Sequence, residues 1–123
     1  MGYRSQVAYV IKFDDKQTRD AYVTLMLAHD KPEVRRAIEE CEYEYERDPI
    51  ITFHADGVKW YDSYEEVRAH TFIYRNAREL GMGSFRFLAV GEDGKEDFEE
   101  DTLHDGHDLY DYIYAEHSLR TNF

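Results

Sequence analysis

The spacing of apolar residues changes from two to nearly four within the first third of the chain. The bulkier apolar residues of 6–13 recur at every second position, which predicts a β-strand with the odd-numbered residues from Val7 to Phe13 on one face and Gln6, Ala8, Val10 and Lys12 on the other. Asp14 and Asp15 follow, placed to accept the free amides of a helix. The apolar positions of that helix are Ala21, Tyr22, Leu25, Met26 and Ala28. The pattern predicts a strand and then a helix that ends near His29.

A second helix is predicted after Asp30. With Pro32 and Glu33, Asp30 resembles a capping box in which Asp replaces Ser or Thr. The buried stripe of this helix comprises Val34, Ala37, Ile38 and Cys41. Its other faces carry Glu39, Glu40, Glu42, Glu44 and Glu46. The prediction is an amphipathic helix with an acidic surface.

Two turn signals organise the middle of the chain. Asp56-Gly57 separates two β-prone runs within 50–61, the usual signal of a hairpin. Ser63 and Glu66 then form a capping box in sequence, and Gly81 is placed to end the helix that follows. Strands two and three and a third helix are therefore predicted here.

The last third is predicted to be mainly strand. Residues 84–90 are apolar on both sides and predict a central strand, and Asp93-Gly94 turns the chain into an edge strand or extended arm over 95–101. Residues 109–119 fit either a helix or a strand, and their tyrosines favour the strand. The predicted fold is α+β: residues 1–123 form one globular domain, a single-layer, mostly antiparallel sheet of about five or six strands with about three helices on one face.

Composition supports a folded, acidic domain. Apolar residues make up 42% of the 123 positions and aromatic residues 15%, too much core material for a disordered acidic tail. No apolar run approaches the length of a membrane span, and the start of the chain lacks the features of a signal peptide. The single Cys41 excludes an intramolecular disulfide. The net charge of −12 disfavours direct binding to nucleic acid.

The negative charge is concentrated in two places. Residues 39–48 contain six acidic side chains and one basic, and residues 92–123 contain eleven acidic and two basic, whereas the rest of the chain is nearly balanced. The second block includes Glu96, Asp97, Glu99, Glu100 and Asp101. Carboxylates four apart on a helix are about 6 Å apart along its axis, and alternate residues of a strand are about 6.8 Å apart. Both spacings resemble every second phosphate of a DNA strand, about 3.4 Å per phosphate.

These blocks have two interpretations. They form a DNA-like surface that enters the basic groove of another protein, or they form a solvated face that serves solubility. No catalytic motif accompanies them, and Cys41 on a buried stripe is a structural thiol, so the chain is predicted not to be an enzyme and to need no cofactor.

Histidines and tyrosines supply the remaining candidates. His104 and His107, with His117 further on, have metal-ligand spacing, although a polar turn is the more ordinary explanation, so they are only weak metal candidates. Tyr110, Tyr112 and Tyr114 resemble a stacking face for single-stranded RNA. Their acidic surroundings favour a protein interface instead.

Three motifs carry a resemblance. Met1-Gly2-Tyr3-Arg4-Ser5 with Val7, then Gly91-Glu92-Asp93, and finally Leu109-Tyr110-Asp111-Tyr112 resemble small early proteins of tailed bacteriophages. The resemblance implies a cytoplasmic protein of an infected bacterium that binds and disables a host enzyme. Acidic DNA mimics recur among such proteins, which implies a host DNA-binding protein as partner, DNA gyrase being the first candidate. A tyrosine-based interaction module is the alternative, and a homodimer is compatible with either.

Overall fold

The computed structural model describes residues 2–116 and 118–123, and among them are six strands and three α-helices. The helices are α1 (Lys16–Leu27), α2 (Pro32–Glu39) and α3 (Glu65–Glu79). The strands are β1 (Ser5–Phe13), β2 (Ile50–Val58), β3 (Gly83–Gly91), β4 (Glu96–Asp101), β5 (Ile113–Glu116) and β6 (Ser118–Thr121). The first four strands form an antiparallel sheet in the order β2-β1-β3-β4, and β5 and β6 form a separate hairpin. The predicted α+β class is confirmed.

Both faces of the sheet are covered. On one face, Tyr9, Ile11 and Phe13 pack with residues of all three helices, as the alternation in 6–13 predicted. On the other face, Ala8, Val10 and Leu88 pack with the buried residues of the C-terminal hairpin. The predicted helices do lie on one face, and the hairpin forms the cover of the face that the sequence left open. The two central strands are therefore buried on both sides.

The hairpin predicted over 50–61 is wrong. Asp56 and Gly57 lie inside β2, which pairs with β1 from Ile50 to Val58. The register shifts between Ser5 and Val7, and Gly57 opposite has a φ of 66°. A glycine of positive φ suits a β-bulge as well as a turn. Pairing with a nine-residue neighbour satisfies more backbone groups than a local two-residue turn, so the longer strand prevails.

The predicted helix ends have mixed outcomes. Asp15 caps α1, accepting a 2.7 Å hydrogen bond from the Thr18 amide, and Gly81 follows α3 with a φ of 71°, as predicted. The two predicted capping boxes are wrong, because α2 begins after Lys31 and α3 after Tyr64, neither with a side-chain cap. In both helices the first turn instead carries Glu next to the positive helix end.

The C-terminal third follows the prediction with one exception. β4 is an edge strand and Gly94, with a φ of 82°, makes the turn before it. Within 109–119 the single strand that was predicted is wrong: Ile113–Glu116 and Ser118–Thr121 are strands, but they pair with each other as β5 and β6, and Tyr110–Tyr112 is a short 3-10 turn. None of the described helices is both long and apolar enough to cross a bilayer.

Candidate functional site

The first acidic segment is extended, not helical. α2 ends at Glu39, and the backbone of Glu42 then forms two 2.9 Å hydrogen bonds with Thr52 along the outer edge of β2. From here exposed glutamates alternate with half-buried tyrosines. The exposed members, Glu42, Glu44 and Glu46, are called the acidic strip below. The helical spacing predicted for residues 40–46 is therefore wrong: the chain runs beside β2 at Glu42 and bends from Glu46 to Asp48.

Cations from α1 hold the backbone of this segment. The buried Arg19 donates to the carbonyl oxygens of Tyr45 at 2.6 Å and Asp48 at 3.3 Å, and Lys16 donates to the carbonyl of Glu46 at 2.9 Å. These two cations thus bind backbone carbonyl groups of the segment and not the carboxylates of the acidic strip. Within residues 2–116 and 118–123, no ion pair involves Glu39 or the acidic strip.

The carboxylates of β4 have a different environment. Arg75 of α3 binds Glu99 through both carboxylate oxygens, at 2.7 to 3.2 Å, and Arg78 binds Asp101 at 3.1 Å. On the opposite face Arg86 of β3 binds Glu100 at 2.8 Å. These ion pairs neutralise Glu99, Glu100 and Asp101 and tie the edge strand to the domain. Glu96 and Asp97 are exposed.

The two acidic segments lie at opposite edges of the sheet. Strand pairing places Glu42, Thr52, Val10, Arg86 and Glu100 in one row across the sheet. Four steps separate the first residue of the row from the last, which is about 19 Å at roughly 4.8 Å per strand. The ten predicted carboxylates therefore do not form one surface.

Glu40 belongs to a polar network that the sequence analysis missed. Glu40 lies 3.1 Å from Nε2 of the buried His70, whose Nδ1 is 2.6 Å from the Tyr9 hydroxyl. The Tyr9 hydroxyl in turn lies 3.2 Å from the Cys41 sulfur. Burial lowers the pKa of His70 against the opposing effect of Glu40, and burial raises the pKa of Tyr9 well above its ordinary value. The spacing of His70 from Val67 and Tyr74 on α3 is the signal that could have shown this position to be buried.

Two of the three candidate tyrosines share a surface, and the third is turned toward the interior. Tyr110 is 59% exposed and stacks on Tyr114 with ring centroids 6.2 Å apart. The Arg86 guanidinium lies over the rings of Tyr110, at 5.1 Å, and Phe98, at 4.7 Å. Tyr112 instead turns inward, and its hydroxyl donates to Asp48 at 3.2 Å. Tyr110 and Tyr114 therefore share a surface from which Tyr112 is absent.

The weak metal candidates are brought together with an acidic residue. His104 and His107 each place Nε2 on Oδ1 of Asp14, at 2.8 and 2.9 Å. A hydrogen bond from His104 holds the pKa of Asp14 below its ordinary value, and burial lowers the pKa of His107. Sequence reasoning treated Asp14 only as a helix cap. Because a helix has one N-cap, the Asp14-Asp15 pair was itself a signal that one carboxylate was free for another partner.

His117, which the sequence analysis named beside His104 and His107, lies outside the described residues. No protein-family model matches the chain, and neither the curated proteins nor the solved structures provide a match. The geometry of these residues is therefore the basis for assigning a function.

Proposed function

We propose that this chain is a non-enzymatic acidic protein that binds the basic groove of a DNA-binding protein through the acidic strip. The observation that carries the proposal is the state of these three carboxylates. They are exposed, they occupy alternate positions of a segment that is not helical, and they have no cationic partner among the described residues. The β4 block is excluded from the contact array because arginines neutralise three of its five carboxylates.

The way in which the strip is held supports the same proposal. Its backbone is fixed by Thr52, Arg19 and Lys16, so less conformational freedom is lost on binding than from a mobile acidic loop. Where the chain is fully extended, alternate residues repeat at about 6.8 Å, close to twice the rise per phosphate of one DNA strand, and this applies to the step from Glu42 to Glu44, before the bend at Glu46. A groove that binds phosphates in register would meet carboxylates at a similar repeat.

The partner is proposed at two levels of detail. The charge supports a basic protein surface of any kind. The resemblance to early phage proteins supports a host enzyme that acts on DNA, and DNA gyrase is the first that we would assay. On this proposal the protein acts in the cytoplasm of an infected bacterium and competes with DNA for the enzyme.

The test compares two variants of equal charge. Glu42→Gln, Glu44→Gln and Glu46→Gln together neutralise the strip, and Glu92→Gln, Glu96→Gln and Asp97→Asn neutralise three exposed carboxylates near the other edge. Binding to purified gyrase is measured by titration at two salt concentrations and in competition with duplex DNA. We expect the strip variant to lose at least about tenfold in affinity, or 1.4 kcal/mol, and the control to change less than about threefold.

Three results would contradict the proposal. Equal losses in both variants would show that net charge, not the strip, drives binding. Failure of gyrase and of every DNA-binding protein in a low-salt bacterial lysate to bind the wild-type chain would remove the DNA-mimic function itself. Wild-type binding that DNA does not displace would place the contact outside the DNA-binding groove.

A second candidate function rests on the aromatic surface. Tyr110 and Phe98 lie against Arg86, and Tyr114 stacks on Tyr110, beside the open edge of β4. Tyrosines at the surface, such as the exposed Tyr110 and the half-buried Tyr114, are enriched in protein interfaces. If this surface binds the partner, Tyr110→Ala with Tyr114→Ala will abolish capture of that partner, whereas neutralising the acidic strip will leave it intact. The tyrosine variant and the strip variant together therefore separate the two candidate functions.

A further inference from the structure

Three polar side chains meet where two loops come together beyond the end of β1. Asp14 follows β1 directly, and His104 and His107 come from the loop after β4. Their nearest ligand atoms all lie within 4.8 Å of one another. Two imidazole nitrogens and one carboxylate oxygen form a donor set suited to a borderline divalent cation. We propose that Asp14, His104 and His107 form a zinc-binding site.

The loop returns to this place because of Ser84. Ser84 lies opposite Lys12 in the pairing of β1 with β3, next to the end of β1. Its hydroxyl oxygen accepts a 2.7 Å hydrogen bond from the Leu103 amide and lies 2.7 Å from Nδ1 of His107. His107 is buried, with 4% of its side chain exposed. Its ring is therefore held in one orientation, with Nε2 directed at Asp14.

Ser84 contacts Nδ1 of His107, the ring nitrogen that does not face Asp14. Histidines that bind a metal through one nitrogen usually donate from the other to a fixed oxygen. In the zinc-bound state, His107 binds through Nε2 and its Nδ1–H donates to the oxygen of Ser84. His104 binds through Nε2 as well, and the ring proton moves to Nδ1. The Gly106 amide, now 3.1 Å from Nδ1, then loses its acceptor, so it must turn away from the ring and both N–H groups must donate to solvent.

The required movement is small. Zinc bonds of about 2.1 Å in a tetrahedral arrangement separate ligand atoms by about 3.4 Å. The two nitrogens now lie 2.8 and 2.9 Å from Oδ1 of Asp14, so each must move away from that oxygen by about 0.6 Å. Asp14 and His104 can provide this because their side chains are 60% and 50% exposed. The same exposure leaves the fourth position of the zinc open to water.

The experiment uses the full chain, first freed of metal with a chelator. Zinc is titrated against it in competition with a chromophoric chelator, and we expect one zinc per chain. His104→Gln and Asp14→Asn should each weaken zinc binding at least about tenfold, and Ser84→Ala should weaken it by about tenfold. His54→Gln is the matched control, since His54 is exposed on β2 away from the cluster, and should bind zinc as the wild type does.

A second measurement serves where a variant does not fold. In the wild-type chain, zinc should shift the imidazole resonances of His104 and His107 and leave those of His54 unchanged. The absence of zinc uptake by the wild type, or uptake that is unaffected by both His104→Gln and Asp14→Asn in folded protein, would overturn the proposal. Shifts confined to other histidines would do the same. None of these residues belongs to the acidic strip, so the outcome is independent of the function proposed above.

Discussion

The two acidic segments are similar in sequence and opposite in electrostatics. Along β4, three carboxylates bind Arg75, Arg78 and Arg86, so their charge is used inside the protein. Along the acidic strip, the nearby cations Lys16 and Arg19 bind backbone carbonyls instead. Formal charge therefore does not measure the charge that a surface offers to a partner. The position of the arginines, contributed by distant elements, decides which segment is available for binding.

The largest expected effect comes from removing the arginine that anchors β4. Arg86 is buried, donates to the Ile113 carbonyl and to Glu100 at 2.8 Å each, and lies over two aromatic rings. Arg86→Ala leaves these acceptors without a partner, so we expect a loss of about 3 kcal/mol in the free energy of unfolding. Denaturant unfolding measures it. Glu44→Gln in the acidic strip is the control and should change stability by less than about 0.5 kcal/mol. An equal loss in both variants would show that the two acidic segments do not differ in their contribution to stability.

Acid pH should lower the stability of the fold at the buried His70, which contacts Glu40 at the start of the first segment. Burial lowers the pKa of His70, which faces Glu40, and burial also lowers that of His107. A histidine held neutral when folded takes up its proton on unfolding, so stability is present above the unfolded pKa of about 6.5 and is lost as pH falls below it. The slope has an upper limit of about 1.4 kcal/mol per pH unit for each such histidine, reached only where the folded chain binds no proton at a pH at which the unfolded chain binds one.

The free energy of unfolding between pH 7.5 and 5.5 tests this expectation. His70→Gln should reduce the slope, whereas His54→Gln, at an exposed position, should leave it unchanged. A slope that is the same in all three proteins would show that His70 does not resist protonation in the folded state. Glu40 would then resemble the acidic strip, because its contact with His70 would not affect the stability of the fold.

A smaller effect is expected at the exposed ion pair between α3 and β4. Arg75 and Glu99 are 56% and 35% exposed at their side chains, so water screens much of their attraction. A double-mutant cycle with Arg75→Ala and Glu99→Ala should give a coupling of about 0.5 kcal/mol, favourable because the contact is bidentate. The same cycle applied to Arg75 and Glu44 should give none.

The smallest effect on folding is expected from the acidic strip. Its three carboxylates repel one another and have no cationic partner among the described residues. The triple variant with Gln at positions 42, 44 and 46 should therefore be as stable as the wild type or more stable by a few tenths of a kcal/mol. Thermal unfolding provides the measurement. Marked destabilisation would show that these carboxylates serve the fold, which would weaken the functional proposal.

The sequence predicted features that depend on near neighbours. The alternation in 6–13, the cap at Asp15 and the turn at Gly94 follow from local periodicity and local backbone geometry, and the structure has all three. The period-two pattern of Glu42 to Glu46, with a tyrosine between successive glutamates, was also visible in the sequence and indicated an extended segment. It was obscured by the apolar stripe of α2, which continues through Cys41.

The candidate sites depend on distant residues, which local patterns do not reveal. Glu99 and Arg75 are 24 positions apart, and Asp14 and His104 are 90 apart. Only the sheet order brings them together. Thus the sequence could identify His104 and His107 as candidates but not their carboxylate partner, and it could locate both acidic blocks but not the arginines that neutralise one of them.

The rate at which the Cys41 thiol is chemically modified measures how often the start of the acidic segment opens. It is 6% exposed, and burial raises the pKa of its thiol to about 12, so the native state offers a labelling reagent almost no thiolate. Since the chain has no other cysteine, every modification reports an opening of this one region. A bound partner that stabilises the segment would slow the labelling, and so a single natural thiol can reveal binding without an added probe.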